Sequence, residues 1–472
     1  MTRTLYRRAK VVVTMDRARR VLYDADLLVE GKALAAVGPG LSALAHDRSV
    51  DLHGKVVIPG LVNTHHHLYQ TLTRAVPRVQ DVELFDWLTD LYEIWRQLTP
   101  EAVRIGALVG LGELLLSGCT TSTDHHYVFP KDVDGRLIDV QARAAAELGI
   151  RFHPTRGSMS RGKSGGGLPP DDLVQPEDAI LADCERVIQT LHDPAPFSMC
   201  RVALAPCSPF SVTDKLLEKT ALLARRHKVL MHTHLAETKD EEAFCLKTVG
   251  LRPLAYMERQ GWVGRDVWYA HGIHFNDDEL GLLAATKTGI AHCPTSNLRL
   301  ASGIALVPKM RALGVPVGLA VDGSASNDSS NMLAEVRMAL LVHRIQSGVG
   351  STTASSVLEI ATRGGAEVLN RDDIGSLEPG KAADFAVFDT HDLGFAGAMH
   401  DPVAALVFCA AARRADLVVV NGEVAVAGGR LVGADEDELI GLANDIAASM
   451  VSGAQAHTGR DFLQARAKEG PR

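Results

Sequence analysis

The chain has 472 residues, 46% of them hydrophobic and 22% charged, with a net charge of −8. That length and balance exclude a minimal or disordered chain and point to one large domain of roughly 300 residues plus a smaller one. A mildly acidic sequence without long blocks of like charge argues against nucleic acid as a partner and favours a small-molecule ligand.

The N-terminus carries Arg3, Arg7, Arg8 and Lys10, but the apolar run at 11–13 is cut by Asp16 and Arg17 and is too short for a signal segment. No uninterrupted apolar stretch approaches the roughly 18 residues of a membrane span. The seven cysteines, Cys119, Cys184, Cys200, Cys207, Cys245, Cys293 and Cys409, are odd in number and form no C-x-x-C pair, which suits a reducing cytoplasm.

Residues 1–59 read as short strands and turns, among them Lys10-Val-Val-Val-Thr14 and Ala25-Asp-Leu-Leu-Val29 before Glu30-Gly31-Lys32. The same texture returns at 374–435, in Ala383-Asp-Phe-Ala-Val-Phe388 and in Asp416-Leu-Val-Val-Val420 followed by the turn Asn421-Gly422. The two strand-rich ends are expected to form one composite β domain. Residues 436–472 are a C-terminal helical extension, with a helical pattern at 436–450 that docks on a neighbour or on the body of the protein.

Between the ends, at 60–373, apolar runs alternate with helical patterns. Counting the run that leads into this region, eight strands are expected, at 56–62, 119–126, 151–156, 201–206, 228–234, 267–271, 289–293 and 316–322. Helix punctuation fills the gaps: Thr99 as a cap with Pro100 behind it, and Asn276 with Asp277 and Asp278 opening a helix that stops at Gly289. Eight doubly buried strands alternating with helices predict an α/β fold of the (β/α)8 barrel type, with an open doubly wound sheet as the alternative. The glycine-rich segment 162–170 reads either as a lid over the site or as a surface loop.

Polar residues cluster at the C-terminal ends of these strands, where barrels carry their chemistry. Strand alternation sends His65 and His67 to one face and His66 to the other, and two imidazoles so spaced can share a divalent ion. His232 and His234 repeat the spacing on the fifth strand; His234 lies nearer the mouth and is the better ligand, with His232 deeper and supporting. Glu237 just beyond reads either as a site carboxylate or as an anion at a helix start. His271 ends the sixth strand, with His274 on a following loop. Asp322 ends the eighth, where a buried carboxylate needs a cation, hydrogen-bond donors or a capping role. Gln70, Arg74, His126, Arg156 and Cys207 fall near the same ends and are candidates for contact with substrate, Arg74 and Arg156 through paired N–H groups.

The stretches Pro59-Gly-Leu-Val-Asn-Thr-His-His-His67, His232-Thr-His-Leu-Ala-Glu237, His271, His292-Cys-Pro-Thr-Ser-Asn297, Val321-Asp-Gly-Ser-Ala-Ser-Asn327 and Ile374-Gly-Ser-Leu-Glu-Pro-Gly-Lys-Ala-Ala-Asp384 together resemble the amidohydrolase superfamily, in its cytosine/guanine deaminase and chlorohydrolase branch. The resemblance implies that His65, His67, His234 and Asp322 hold one divalent metal ion, zinc or iron. It also implies that Glu237, His271 and Asp322 are catalytic and that the protein is a homo-oligomer. Binuclear relatives carry a lysine at the end of strand four, and none stands there, so one metal is expected. The implied reaction is hydrolytic deamination of an aminated purine-like heterocycle. The less general stretches His65-His-His-Leu-Tyr-Gln-Thr-Leu-Thr-Arg74 and Ser117-Gly-Cys-Thr-Thr-Ser-Thr-Asp-His-His-Tyr127 put 8-oxoguanine first. Alternatives on the same metal apparatus are a triazine amino- or chlorohydrolase and a deaminase of guanine, isocytosine or a pterin; a non-catalytic barrel serving as a binding protein is the remote one.

Overall fold

Eight parallel strands close into a barrel, and a nine-stranded sheet built from both chain ends stands beside it. The computed structural model describes residues 2–133, 136–410 and 413–466, so the last six residues of the expected C-terminal extension lie outside the described part. The barrel strands are β1 (Leu61–Asn63), β2 (Cys119–His126), β3 (Arg151–Ser158), β4 (Ala203–Pro206), β5 (Leu230–Leu235), β6 (Val267–His271), β7 (Gly289–His292) and β8 (Val317–Leu319). Each is paired in parallel with its neighbours, and Leu319 of β8 closes the ring on Asn63 of β1.

The expected strand at 56–62 is two strands. Lys55–Pro59 belongs to the nine-stranded sheet, where it runs antiparallel to Phe385–Asp389 and so joins the two chain ends. The chain then turns at Gly60 into β1. Pro59 has no N–H to continue a ladder, and a Cβ on Gly60 would lie 2.0 Å from Thr120 Oγ1, so the close approach of β2 requires glycine there. The eighth strand is also divided: regular pairing stops at Leu319, and Asp322–Gly323 pairs separately with His66–His67 at the barrel mouth.

Local signals explain the helices. Thr99 Oγ1 accepts the Ala102 N–H at 3.1 Å at the start of Pro100–Leu116. Asn276 and Glu279 cap each other's backbone at the start of Asp277–Thr286. That helix ends three residues before Gly289, with Lys287 in the left-handed conformation at φ 59° as its cap. The Asn421-Gly422 turn, with both residues at positive φ, joins Val420 to Glu423 as a tight hairpin. Residues 162–170 fold into a compact turn in which the Gly167 N–H donates to Gly162 O at 2.9 Å. The helix Glu436–Thr458 packs on the protein's own helices Pro100–Leu116 and Leu84–Trp95. Among the described residues no helix is long and apolar enough to cross a membrane.

A buried ion pair fastens the barrel to the sheet. Arg151, at the start of β3, gives Asp384 two hydrogen bonds of 3.0 Å and donates to the carbonyls of Phe197 and Ser198. Asp384 also accepts the Asn421 N–H at 2.7 Å. Removing one partner leaves a charge buried without compensation, so Asp384→Ala is expected to cost about 3–5 kcal/mol, read as a lowered denaturant midpoint and melting temperature.

Candidate metal centre and catalytic site

Five imidazoles and two carboxylates meet at the C-terminal mouth of the barrel. The mouth sheet aligns Asp322 with His66 and Gly323 with His67, and the Asp322 N–H donates to His65 O at 3.2 Å. His65, His67 and Asp322 are thereby tied to one another through the backbone. Asp322 and His271 both hold left-handed backbones, at φ 62° and φ 73°, a cost that residues with a Cβ bear where side-chain aim matters.

The proton positions follow from backbone carbonyls, which only accept. His67 Nδ1 lies 2.7 Å from His125 O, and His234 Nδ1 lies 2.6 Å from Cys207 O, so each ring carries its proton on Nδ1. His232 Nδ1 donates to Trp268 O at 2.9 Å, which leaves its Nε2 to accept from His65 Nδ1 at 2.7 Å. His65, His67 and His234 therefore all present bare Nε2 lone pairs. Those of His67 and His234 are 3.0 Å apart, and Asp322 Oδ1 lies 3.1 Å from His65 Nε2 and 3.4 Å from His67 Nε2. Neither nitrogen of the 3.0 Å pair has a proton to give, so the contact is not a hydrogen bond. His65 Nε2 is buried without any hydrogen-bond partner. Three lone pairs and an anion converging without a proton repel one another, and a divalent cation among them is the complement.

Burial keeps the imidazoles in the ligand form. It drives His65 well below its ordinary range despite Asp322 beside it, lowers His67, and takes His234 to about 3 with help from His67 and His271. Two overlapping sets of donor atoms lie within 4.8 Å of one another, His65, His67, His125, His234 and His65, His234, His271, Asp322. His125 has its proton on Nε2, which faces Ala205 O at 2.9 Å.

His271 brings a further ring nitrogen to the same cluster. Its Nδ1 donates to Asn297 Oδ1 at 2.8 Å, and its Nε2 lies 3.4 Å from Glu237 Oε2 and 4.0 Å from Asp322 Oδ2. Burial opposes charging this ring, but Glu237 and Asp322 outweigh it and raise its pKa. Burial, aided by Asp322, raises the Glu237 pKa and favours its acid form. Asp322 Oδ2 accepts from Ser296 Oγ at 2.6 Å and Ser326 Oγ at 3.4 Å, which fixes the carboxylate plane.

These groups floor a narrow cavity walled by Leu84, Trp87, Leu88, Tyr127, Phe210 and Leu300. Gln70 and Cys207 line it, and Gln70 Oε1 is buried without a partner. Burial pushes the Cys207 thiol up to about 12, so it stays protonated. Arg74, His126 and Arg156 do not line it. Arg74 bridges Glu113 at 2.5 Å and Ser324 at 3.3 Å. Arg156 is held by Asp183, Gln175 and the face of Phe129. His126 packs between Tyr69 and Phe129, outside the barrel. The imidazole inside is that of His125, one residue earlier, on the same strand face as Tyr127. His274 is spent on Ser302 O at 3.0 Å. The compact turn at 162–170 takes no part in the cavity wall; the helix Leu84–Trp95 covers it instead. Ser296 and Asn297 stand in the stretch 292–297 and Ser326 in the stretch 321–327, but only the fold shows what they hold.

A parallel barrel with imidazoles and carboxylates gathered at one end defines a metal-dependent hydrolase. Residues 56–425 match the amidohydrolase family, and the chain belongs to it. It is similar to the 8-oxoguanine deaminase of Pseudomonas aeruginosa, with 48% identity over 96% of this chain and 100% of that protein. The hydroxydechloroatrazine ethylaminohydrolase of Pseudomonas sp. strain ADP is 36% identical over 96% of this chain and 97% of its own. Among solved structures, the atrazine chlorohydrolase of Arthrobacter aurescens TC1 complexed with zinc superposes with a TM-score of 0.90 at 37% identity, covering 94% of this chain and 100% of that one.

Metal analysis of the purified protein is expected to give one divalent ion per chain, and His234→Ala to abolish it. His232→Ala, which removes only the acceptor behind His65, is expected to weaken metal affinity by roughly 10–100-fold. Because burial lowers the pKa of His65, His67 and His234, occupancy should begin to fall only below the ordinary histidine range near about 6.5.

Proposed function

We propose that this chain is a zinc-dependent aminohydrolase that converts 8-oxoguanine and water to urate and ammonia, with His65, His67, His234 and Asp322 as metal ligands. The observation that carries the reaction class is the convergence of bare lone pairs at His65, His67 and His234 beside Glu237 and His271 in one cavity. The substrate rests on the likeness to the Pseudomonas aeruginosa deaminase along nearly the whole chain. Zinc is supported by the imidazole-rich donor set and by the zinc-bound neighbour. A cytoplasmic setting belongs to the proposal, supported by seven free cysteines.

A divalent ion held there supplies Lewis acidity and lowers the pKa of water toward neutrality. Asp322 takes the proton that the water sheds, its second oxygen held by Ser296 and Ser326. His271, oriented by Asn297, hydrogen-bonds the attacking oxygen and holds it in line with C2 of the purine. Attack pushes an electron pair onto the adjacent ring nitrogen, and Glu237, whose pKa burial raises, protonates that nitrogen. Asp322 returns its proton to the exocyclic amine, and ammonia leaves as the hydroxyl on C2 gives its proton to the Glu237 carboxylate and becomes the product carbonyl. Trp87, Tyr127 and Phe210 offer the ring aromatic surface, and the unpartnered Oε1 of Gln70 offers an acceptor to its edge.

A triazine substrate is the second reading, favoured by the likeness to two triazine-pathway hydrolases. Ammonia release by zinc-loaded protein from 8-oxoguanine, guanine, isocytosine, isoxanthopterin and hydroxyatrazine, against a chelated control, separates the two. Preference for 8-oxoguanine is expected, and preference for another member reassigns the substrate. Glu237→Gln is expected to keep its metal and lose at least about 10²-fold in kcat; near-normal turnover with metal retained would remove Glu237 from the acid role.

A further inference from the structure

We propose that Glu241 is a positioning residue for Glu237, fixing the backbone from which the acid is presented; the proposal rests on the acid role given to Glu237 above. Glu241 lies in the first turn of Lys239–Val249, behind the cap Thr238, whose Oγ1 accepts the Glu241 N–H at 3.4 Å. Its side chain reaches back past the cap. One carboxylate oxygen accepts the Ala236 N–H at 2.9 Å and the other accepts the Glu237 N–H at 3.1 Å.

The turn so held is unusual. Ala236 has φ 55°, a conformation that a residue with a Cβ rarely adopts. Its carbonyl accepts from the N–H groups of Ile273 at 2.9 Å and His274 at 3.0 Å, and Leu235 O accepts from Gly272 at 3.1 Å. The segment carrying Glu237 is thus bound on its carbonyl side to the segment that follows His271 and on its N–H side to Glu241. With both sides tied, the backbone of Glu237 is fixed where its carboxylate lies 3.4 Å from His271 Nε2.

Ordinary helix capping does not account for this. A capping-box carboxylate bonds the N–H of the cap residue itself, whereas Glu241 bonds the two residues before it. It is also 1% exposed, and burial of a carboxylate costs stability. A buried carboxylate and a left-handed alanine kept together at one turn are expected where orientation outranks stability.

A double-mutant cycle on the metal-loaded protein tests this, using Glu241→Ala, Glu237→Gln and the double variant, assayed on the heterocycle that the wild type turns over. Glu241→Ala is expected to keep one metal ion per chain and KM within about 3-fold, while kcat falls at least about 10-fold; in the Glu237→Gln background the same change lowers kcat no further. An equal loss of kcat in both backgrounds, or normal kcat in folded, metal-loaded Glu241→Ala, would overturn the proposal. If Glu241→Ala does not fold, Glu241→Gln, which keeps one acceptor, carries the same cycle. Near-normal turnover of Glu237→Gln would instead refute the acid role itself, so the two failures are told apart.

Discussion

Backbone carbonyls at the ends of the barrel strands hold the Nδ1 protons of His67 and His234, and a third carbonyl does so for His65 through His232. The remaining chemistry depends on this. Each ring is left with a lone pair aimed at the barrel axis, and no proton is available to reconcile them. The carbonyls belong to His125, Cys207 and Trp268, residues of or just beyond three barrel strands, so the barrel's register sets the tautomers. The stacking of Trp268 on His232, with ring centroids 4.3 Å apart, adds a rigid back wall. A shift of one strand by one residue would swap each of these contacts for its neighbour on the opposite face.

Strand ends alone do not bring the side chains close enough. β1 and β8 finish their barrel pairing at Asn63 and Leu319, and the chain then leaves the barrel ladder to pair once more as the small sheet of His66–His67 with Asp322–Gly323. That second pairing, together with the left-handed turn at Asp322, carries the carboxylate from the strand end over the site. Gly323 belongs to the same device, since a Cβ there would meet Gln70 Oε1 at 1.8 Å. Glycine at this position lets the residue that lines the cavity pack directly on the Asp322 turn.

Much of this was legible in the sequence, for physical reasons that also mark where legibility stopped. The period of two separated His65 and His67 from His66, and the depth of His232 relative to His234 followed from the same rule. It did not separate His125 from His126, because an isolated pair at a strand end gives no parity; Tyr127, two residues beyond His125, shares its face, but only the barrel shows which face is inside. The run at 56–62 read as one strand because Pro59-Gly60 is a small interruption in composition, though it is where the chain passes from sheet to barrel. Arg74 and Arg156 were candidates for binding substrate by position alone, and their partners Glu113 and Asp183 come from distant helices that no local pattern connects to them. The helix that covers the cavity has an apolar face like any other helix, so its place over the mouth is a tertiary fact.

Burial acts with opposite sign on the two kinds of group collected here. A dry environment disfavours whichever form is charged, so burial lowers the pKa of His65 and His234, leaving their lone pairs free, and raises that of Glu237. One physical condition therefore prepares both halves of a hydrolytic site, with no separate tuning of each residue. His271 departs from the rule because Glu237, Asp322 and the hydrogen bond to Asn297 outweigh the desolvation. The condition is maintained by Leu84, Trp87 and Leu88 on the covering helix. That helix is in turn held from outside by Arg78 and Arg460 on Asp90 and by Arg466 on Asp86. The C-terminal segment thus holds the wall of the cavity in place from outside.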